Sequence, residues 1–113
     1  MWKIIDSEKL PFAPYPKGNA SVKRIVEKEK VGTRRFGGFG LIEVPPGGVF
    51  EPHTHPEREE IYYFLSDSGS LIVENEQIPA KKGLTFYVSG EDSHGLKNQG
   101  KKPLLIMFVT AYK

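Results

Sequence analysis

His53-Thr54-His55-Pro56-Glu57-Arg58-Glu59-Glu60 places two imidazoles and a carboxylate in one short segment that runs into a strand. Side chains of an extended chain alternate faces, so His53 and His55 point to the same side, about 6–7 Å apart. Two neutral imidazoles placed like this can share one metal ion. Pro52 and Pro56 flank the pair. Proline fixes φ and biases the preceding residue away from the helical region, which favours extended backbone around both histidines. Glu60 opens Ile61-Tyr62-Tyr63-Phe64-Leu65, a β-branched and aromatic run of strand length. That strand would carry its carboxylate beside the imidazoles as a third ligand. His94 is the last of three histidines. It lies in Ser89-Gly90-Glu91-Asp92-Ser93-His94-Gly95, punctuated by turn residues, and is available as a fourth ligand.

Gly47, five residues, His53-x-His55, four residues and then Glu60 resemble the first motif of the cupin superfamily. Gly83, His94 and Asn98 resemble the second. Asp67 stands where the family pattern has glycine, with Gly69 two positions on, and Ser89 and Glu91 replace the usual proline and second glycine. Aspartate tolerates left-handed backbone, so the first departure reads as turn variation. The resemblance is to small single-domain cupins. It implies an all-β fold, a single cupin barrel of the double-stranded β-helix or jelly-roll type, with metal ligands His53, His55, Glu60 and His94. A lone histidine is usually a surface or hydrogen-bonded core residue. All three histidines at the offsets of one pattern favour ligation instead.

The rest of the chain is consistent with one domain of 113 residues. Lys and Arg number 16 against 14 Asp and Glu, interspersed, and the net charge of +2 carries no footprint for nucleic acid or membrane. Cysteine is absent, which excludes disulfides and thiolate ligands. The first residues turn charged too soon for a signal peptide, and no apolar run approaches membrane-spanning length, so a cytoplasmic location is expected. Pro11, Pro14 and Pro16 keep residues 1–20 extended, apart from one helical turn over 7–10. This arm carries Trp2, Ile4, Ile5, Phe12 and Tyr15, which need burial on a neighbouring barrel or a partner subunit. The expectation is that the arm helps to form a homodimer, as the resemblance also implies. Sedimentation tests it: a clean monomer in both full-length and arm-deleted protein rejects it.

From residue 21 onward the pattern predicts a barrel domain over 21–113, with strands at 21–29, 39–44, 52–55, 61–65, 70–74, 84–88, 94–97 and 104–111 and turns between them. Leu104-Leu105-Ile106-Met107-Phe108-Val109 is apolar on both faces, which suits a two-sheet contact or an interface. Arg34-Arg35-Phe36-Gly37-Gly38 lacks the ending of a phosphate loop and reads as loop and strand entry, with anion contact by Arg34 or Arg35 the lesser reading.

Three imidazoles and one carboxylate suit one divalent transition metal ion (Mn, Fe, Co, Ni, Cu or Zn) better than Ca or Mg. A six-coordinate ion would keep two adjacent positions for water or an oxygen substrate. Period-two alternation puts Tyr62 and Phe64 on the face of Glu60, inside the barrel, with Phe86 and Val88, or else Thr85 and Tyr87, from the facing strand. Such an apolar, aromatic lining suits a small organic molecule whose oxygens bind the metal. Tyr62 is a candidate proton donor as well as a barrel-filling aromatic, and Glu43 points either into the cavity or to water. Two functions follow. One is a metal-dependent enzyme on a small oxygen-bearing substrate, resembling small cupin dioxygenases or isomerases. The other is a non-catalytic, metal-dependent ligand-binding or sensing module.

Overall fold

The computed structural model describes residues 1–113. A single 3-10 turn at Ser7–Lys9 precedes β1 (Ala13–Pro14) and β2 (Ser21–Glu27). One helical turn, α1 (Lys28–Val31), leads to β3 (Phe36–Val44), β4 (Val49–His53) and β5 (Arg58–Phe64). Then follow β6 (Ser70–Val73), β7 (Glu76–Pro79), β8 (Thr85–Val88), β9 (His94–Lys97) and β10 (Leu104–Tyr112). Every pairing is antiparallel. One sheet runs β1-β2-β3-β10-β5-β8 and the other β4-β9-β6-β7. The chain crosses between the sheets at successive turns, the expected jelly-roll barrel of an all-β domain.

Alternation on the long strands builds the core. On β10, Leu104, Ile106, Phe108 and Thr110 are buried, while Leu105, Met107 and Val109 on the other face are half-buried. Within the chain the apolar run is therefore a central strand with one face inside the barrel and the other half-buried. Val22, Ile42, Val44, Tyr62 and Phe64 from the large sheet meet Phe50, Leu71 and Leu96 from the small one. Removing this apolar area from water is the main stabilising term for a domain of this size.

Asn98 ties the end of the barrel far from the histidines. It is 1% exposed, and its amide donates to the Val44 carbonyl at 2.9 Å and the Lys102 carbonyl at 2.7 Å. Its oxygen accepts from the Gly100 amide and the Ser68 hydroxyl. Asp67 plays a similar part, accepting from the Lys82 amide at 2.7 Å and so joining the turn before β6 to the turn before β8. An aspartate in place of the pattern's glycine thus gains a cross-link.

Several boundaries differ from expectation. β4 starts at Val49 and ends at His53, leaving His55 in the loop. β2 stops at Glu27, where a helical turn closes on Gly32 in the left-handed region. β7 was not anticipated, because Glu76-Gln77-Ile78-Pro79 is an exposed edge with almost no apolar pattern. β3 begins at Phe36, since the long β10 holds even Gly37 and Gly38 in the sheet.

Residues 1–20 are mixed in structure. Ala13–Pro14 adds a short edge to β2, Asn19 exchanges hydrogen bonds with Val49, and the Tyr15 ring lies 4.6 Å from Phe50. Trp2 and Ile4 remain 80% and 86% exposed, so the chain's own barrel does not bury them.

Candidate metal centre

The four residues singled out by spacing come together. His53 ends β4, His55 lies in the loop after it, Glu60 is on β5 and His94 opens β9. Their ligand atoms lie within 4.8 Å of one another. His55, Glu60 and His94 are buried and His53 is half-buried. β4 and β9 place His53 opposite His94, and a register shift between Phe50 and His53 re-aims the end of β4. Bulges at barrel rims commonly serve this purpose.

Each imidazole is oriented by its outer nitrogen. Nδ1 of His53 donates to the Glu51 carbonyl at 3.0 Å, that of His55 to the Arg58 carbonyl at 3.0 Å, and that of His94 to the Asp92 carbonyl at 2.8 Å. These bonds select the tautomer that leaves the Nε2 lone pair free, the usual arrangement around ligating histidines. Nε2 of His55 and His94 are 3.1 Å apart, and Glu60 Oε1 lies 3.0 and 3.1 Å from them. With neutral rings, three acceptors face one another with no donor among them. A cation relieves that conflict. The separations match the edge of an octahedron with bonds of about 2.1 Å, which is about 3.0 Å. The donor set therefore fits a divalent transition metal.

The titration shifts reflect the same crowding. Burial raises the Glu60 carboxyl, but hydrogen bonds from His55 and His94 outweigh it, and the net shift is below the ordinary value. His55 is raised, chiefly by its hydrogen bond to Glu60. His53 is lowered, chiefly by burial. The raised His55 favours a proton where a cation would sit, and binding of a metal there would require that proton to leave.

Gly90 holds the loop in place. Its carbonyl accepts from the His55 amide at 2.8 Å, and its φ of +96° is left-handed. A Cβ there would overlap the carbonyl oxygens of Arg58 and His55. Glycine is the residue that meets both demands.

Tyr62 and Phe64 face the barrel interior as alternation required, and so do Phe86 and Val88 rather than Thr85 and Tyr87. The Tyr62 ring is 6.0 Å from His94 and 5.7 Å from Phe86. Its hydroxyl is buried and has no hydrogen-bond partner. Burial, with the charge of Glu60, pushes the phenol well above 10, so it stays protonated.

The open cavity lies on another wall. A space of about 180 Å³ opens onto His53, His55 and Glu60 and is bounded by β2, β3 and β10 through Val22, Arg24, Gly38, Phe108 and Thr110. This corrects the expectation of a lining dominated by aromatics: Tyr62 and Phe64 fill the core instead. Arg24, Arg58 and Thr110 were missed. Thr110 was legible, having the parity of Leu104, Ile106 and Phe108, whereas Arg24 needed knowledge of which sheet end stays open. Arg34 and Arg35 are exposed and away from the cavity, and Glu43 lies on the outward parity of β3.

Residues 40–110 match the cupin domain family. An uncharacterized protein of Methanocaldococcus jannaschii is 31% identical over 105 residues, 93% of this chain and 84% of its own length. A tetracenomycin polyketide synthase protein of Streptomyces glaucescens is 25% identical over 96 residues, 85% of this chain and 64% of its own. A solved structure from Thermotoga maritima, described as a predicted oxalate decarboxylase, aligns with a TM-score of 0.85 at 22% identity over 98% of this chain and 100% of that one. No helix is long and apolar enough to cross a membrane. The two-sheet barrel, the histidine and glutamate cluster at its open end and a family match over well more than half the residues agree: this chain belongs to the cupin family.

Proposed function

We propose that the chain is a metal-dependent enzyme acting on a small oxygen-bearing organic substrate, with His53, His55, Glu60 and His94 holding one divalent transition metal. The observation that carries this reading is the junction of site and cavity: three of the four residues line the 180 Å³ space themselves. A purely structural metal is enclosed by its ligands, whereas a catalytic one keeps a face open. Bound there, a metal would supply Lewis-acid polarisation or redox chemistry to a substrate oxygen. The chain's own part is to aim the three imidazoles through backbone carbonyls, keep Glu60 anionic and shield one side of the site with Tyr62 and Phe86. An organic substrate also accords with the biosynthetic name of the Streptomyces relative.

One observation favours the second reading, a ligand-binding or sensing module. Tyr62 is absent from the cavity wall, and Glu27, the wall's acid besides Glu60, is paired with Lys30 at 2.8 Å. Besides the four residues of the cluster, Tyr15 is the one phenol at the cavity, and it comes from the N-terminal segment rather than from the barrel strands. Oxygen uptake and product analysis with Fe- or Mn-loaded protein and a panel of diols, diketones and phenols separates the two. Turnover of a panel member supports the enzyme. Saturable binding without turnover throughout the panel supports the module.

A further inference from the structure

Each ring of the centre is aimed by a backbone carbonyl, and these acceptors are held in different ways. Glu51 lies within β4 and Arg58 opens β5. Asp92, the acceptor for His94, lies in the irregular segment between β8 and β9. That segment is held through the next residue. The Glu74 amide donates to the Ser93 carbonyl at 2.9 Å, and the Ser93 amide donates to the Glu74 carboxylate at 2.9 Å. The Asp92 C=O and the Ser93 N–H belong to one peptide group, which is planar. Glu74 therefore fixes one end of a plane whose other end accepts from His94 Nδ1 at 2.8 Å.

Glu74 adopts an unusual backbone at this position. Val73 pairs with His94 in the β6–β9 ladder, so the next pair outward is Glu74 with Ser93. In a regular antiparallel pair of this kind both amides donate to backbone carbonyls. Here the chain turns away into β7, Glu74 has a φ of +53°, and its side chain takes the place of its own carbonyl as acceptor. Glu74 is the one non-glycine residue of the chain with a left-handed φ. A hairpin turn normally places glycine, asparagine or aspartate at such a position. Strained residues persist where their surroundings hold them, and they cluster at functional sites.

We propose that Glu74 is a positioning residue for the metal centre: its carboxylate locks the Asp92–Ser93 peptide and, through it, the orientation of the His94 ring. The inference rests on the proposed function for the metal and adds a residue outside the ligand set. Hydrogen bonds in series polarise one another, so the carboxylate also strengthens the bond that keeps the Nε2 lone pair of His94 directed at the centre.

Co2+ titration of the full chain, with hydrogen exchange followed by NMR in the metal-free protein, tests this in three variants. Losing a direct partner of a ligand typically lowers metal affinity about 10–100-fold, so Glu74→Gly, one peptide further out, should lower it about three- to tenfold. Its metal-free Tm should stay close to the parent's, because glycine adopts this φ without strain and so offsets the lost hydrogen bond. Glu74→Gln keeps an acceptor oxygen and should bind within about twofold of the parent. Asn75→Gly loosens the same turn with the carboxylate in place and should bind as the parent does. In metal-free Glu74→Gly, the Ser93 amide and the His94 Nδ1 proton should exchange faster than in the parent. Unchanged affinity in Glu74→Gly, an equal loss in Glu74→Gln or Asn75→Gly, or unaltered exchange at both protons overturns the positioning role. A parent that takes up no metal ends the proposed function, and the exchange rates then decide the role of Glu74 by themselves.

Discussion

His94→Ala is expected to abolish stoichiometric metal binding, the largest functional effect of any single change in the chain. His94 is fully buried and supplies Nε2 at 3.1 Å from both His55 Nε2 and Glu60 Oε1. Losing an outer-shell partner of a ligand typically lowers metal affinity 10–100-fold, so losing the ligand itself should cost about 100-fold or more. Elemental analysis of untagged protein should find about one equivalent of Mn, Fe, Co, Ni, Cu or Zn in the parent and a small fraction of that in the variant. The ring also packs near Tyr62 and Phe86. Its removal leaves a void, and the metal-free variant should lose about 2 kcal/mol or more of stability.

His53→Ala separates these two effects. His53 is half-buried, so its truncation removes a ligand with less loss of packing. Both variants should lose the metal-dependent rise in Tm, which for the parent corresponds to about 2.7 kcal/mol at a metal concentration of 100 Kd. A full equivalent of metal retained by either variant would remove that residue from the ligand set. No metal in the parent, even after reconstitution, would remove the centre altogether.

Gly90→Ala is expected to damage the centre without touching a ligand. The left-handed backbone at Gly90 alone costs alanine about 1–2 kcal/mol. The larger effect is steric, because the new methyl would overlap the carbonyl oxygens of His55 and Arg58. The Arg58 carbonyl is the acceptor that orients the His55 ring, and the Gly90 carbonyl anchors the His55 amide. Displacing that loop turns the Nε2 of His55 off the centre. Metal affinity should fall by about 10–100-fold, with a Tm below that of the parent.

Gly47→Ala is the matched comparison. Gly47 has a φ of +79°, also left-handed, but a Cβ there meets nothing within 4 Å. It should lose similar backbone stability and keep its metal. Equal metal affinity in the two variants would show that Gly90 matters through chain conformation alone.

Much of this molecule was legible before folding because its signals are local. Proline flanks and period-two spacing brought His53, His55 and Glu60 into one pattern, and the resemblance to cupins added His94. The same alternation put Tyr62 and Phe64 inside. Where the local signal was weak, the reading missed: Glu76–Pro79 pairs with β6 only as an exposed edge, and Gly37 and Gly38 are held in β3 by the length of β10.

The sequence by itself determined the all-β class and the pairing of His53 and His55 with Glu60, which depend on residue type and short-range periodicity, while His94 and the single barrel came from the resemblance to cupins. Tertiary structure alone decided which wall of the barrel is open. Register shifts on β2 and β3, set by pairing partners distant in the chain, accompany the opening that Arg24 and Thr110 line beside the histidines, while Tyr62 and Phe64 pack into the core. A side chain's alternation tells which face it takes. Whether that face meets a packed layer or an opening depends on strands that become neighbours only in the folded molecule.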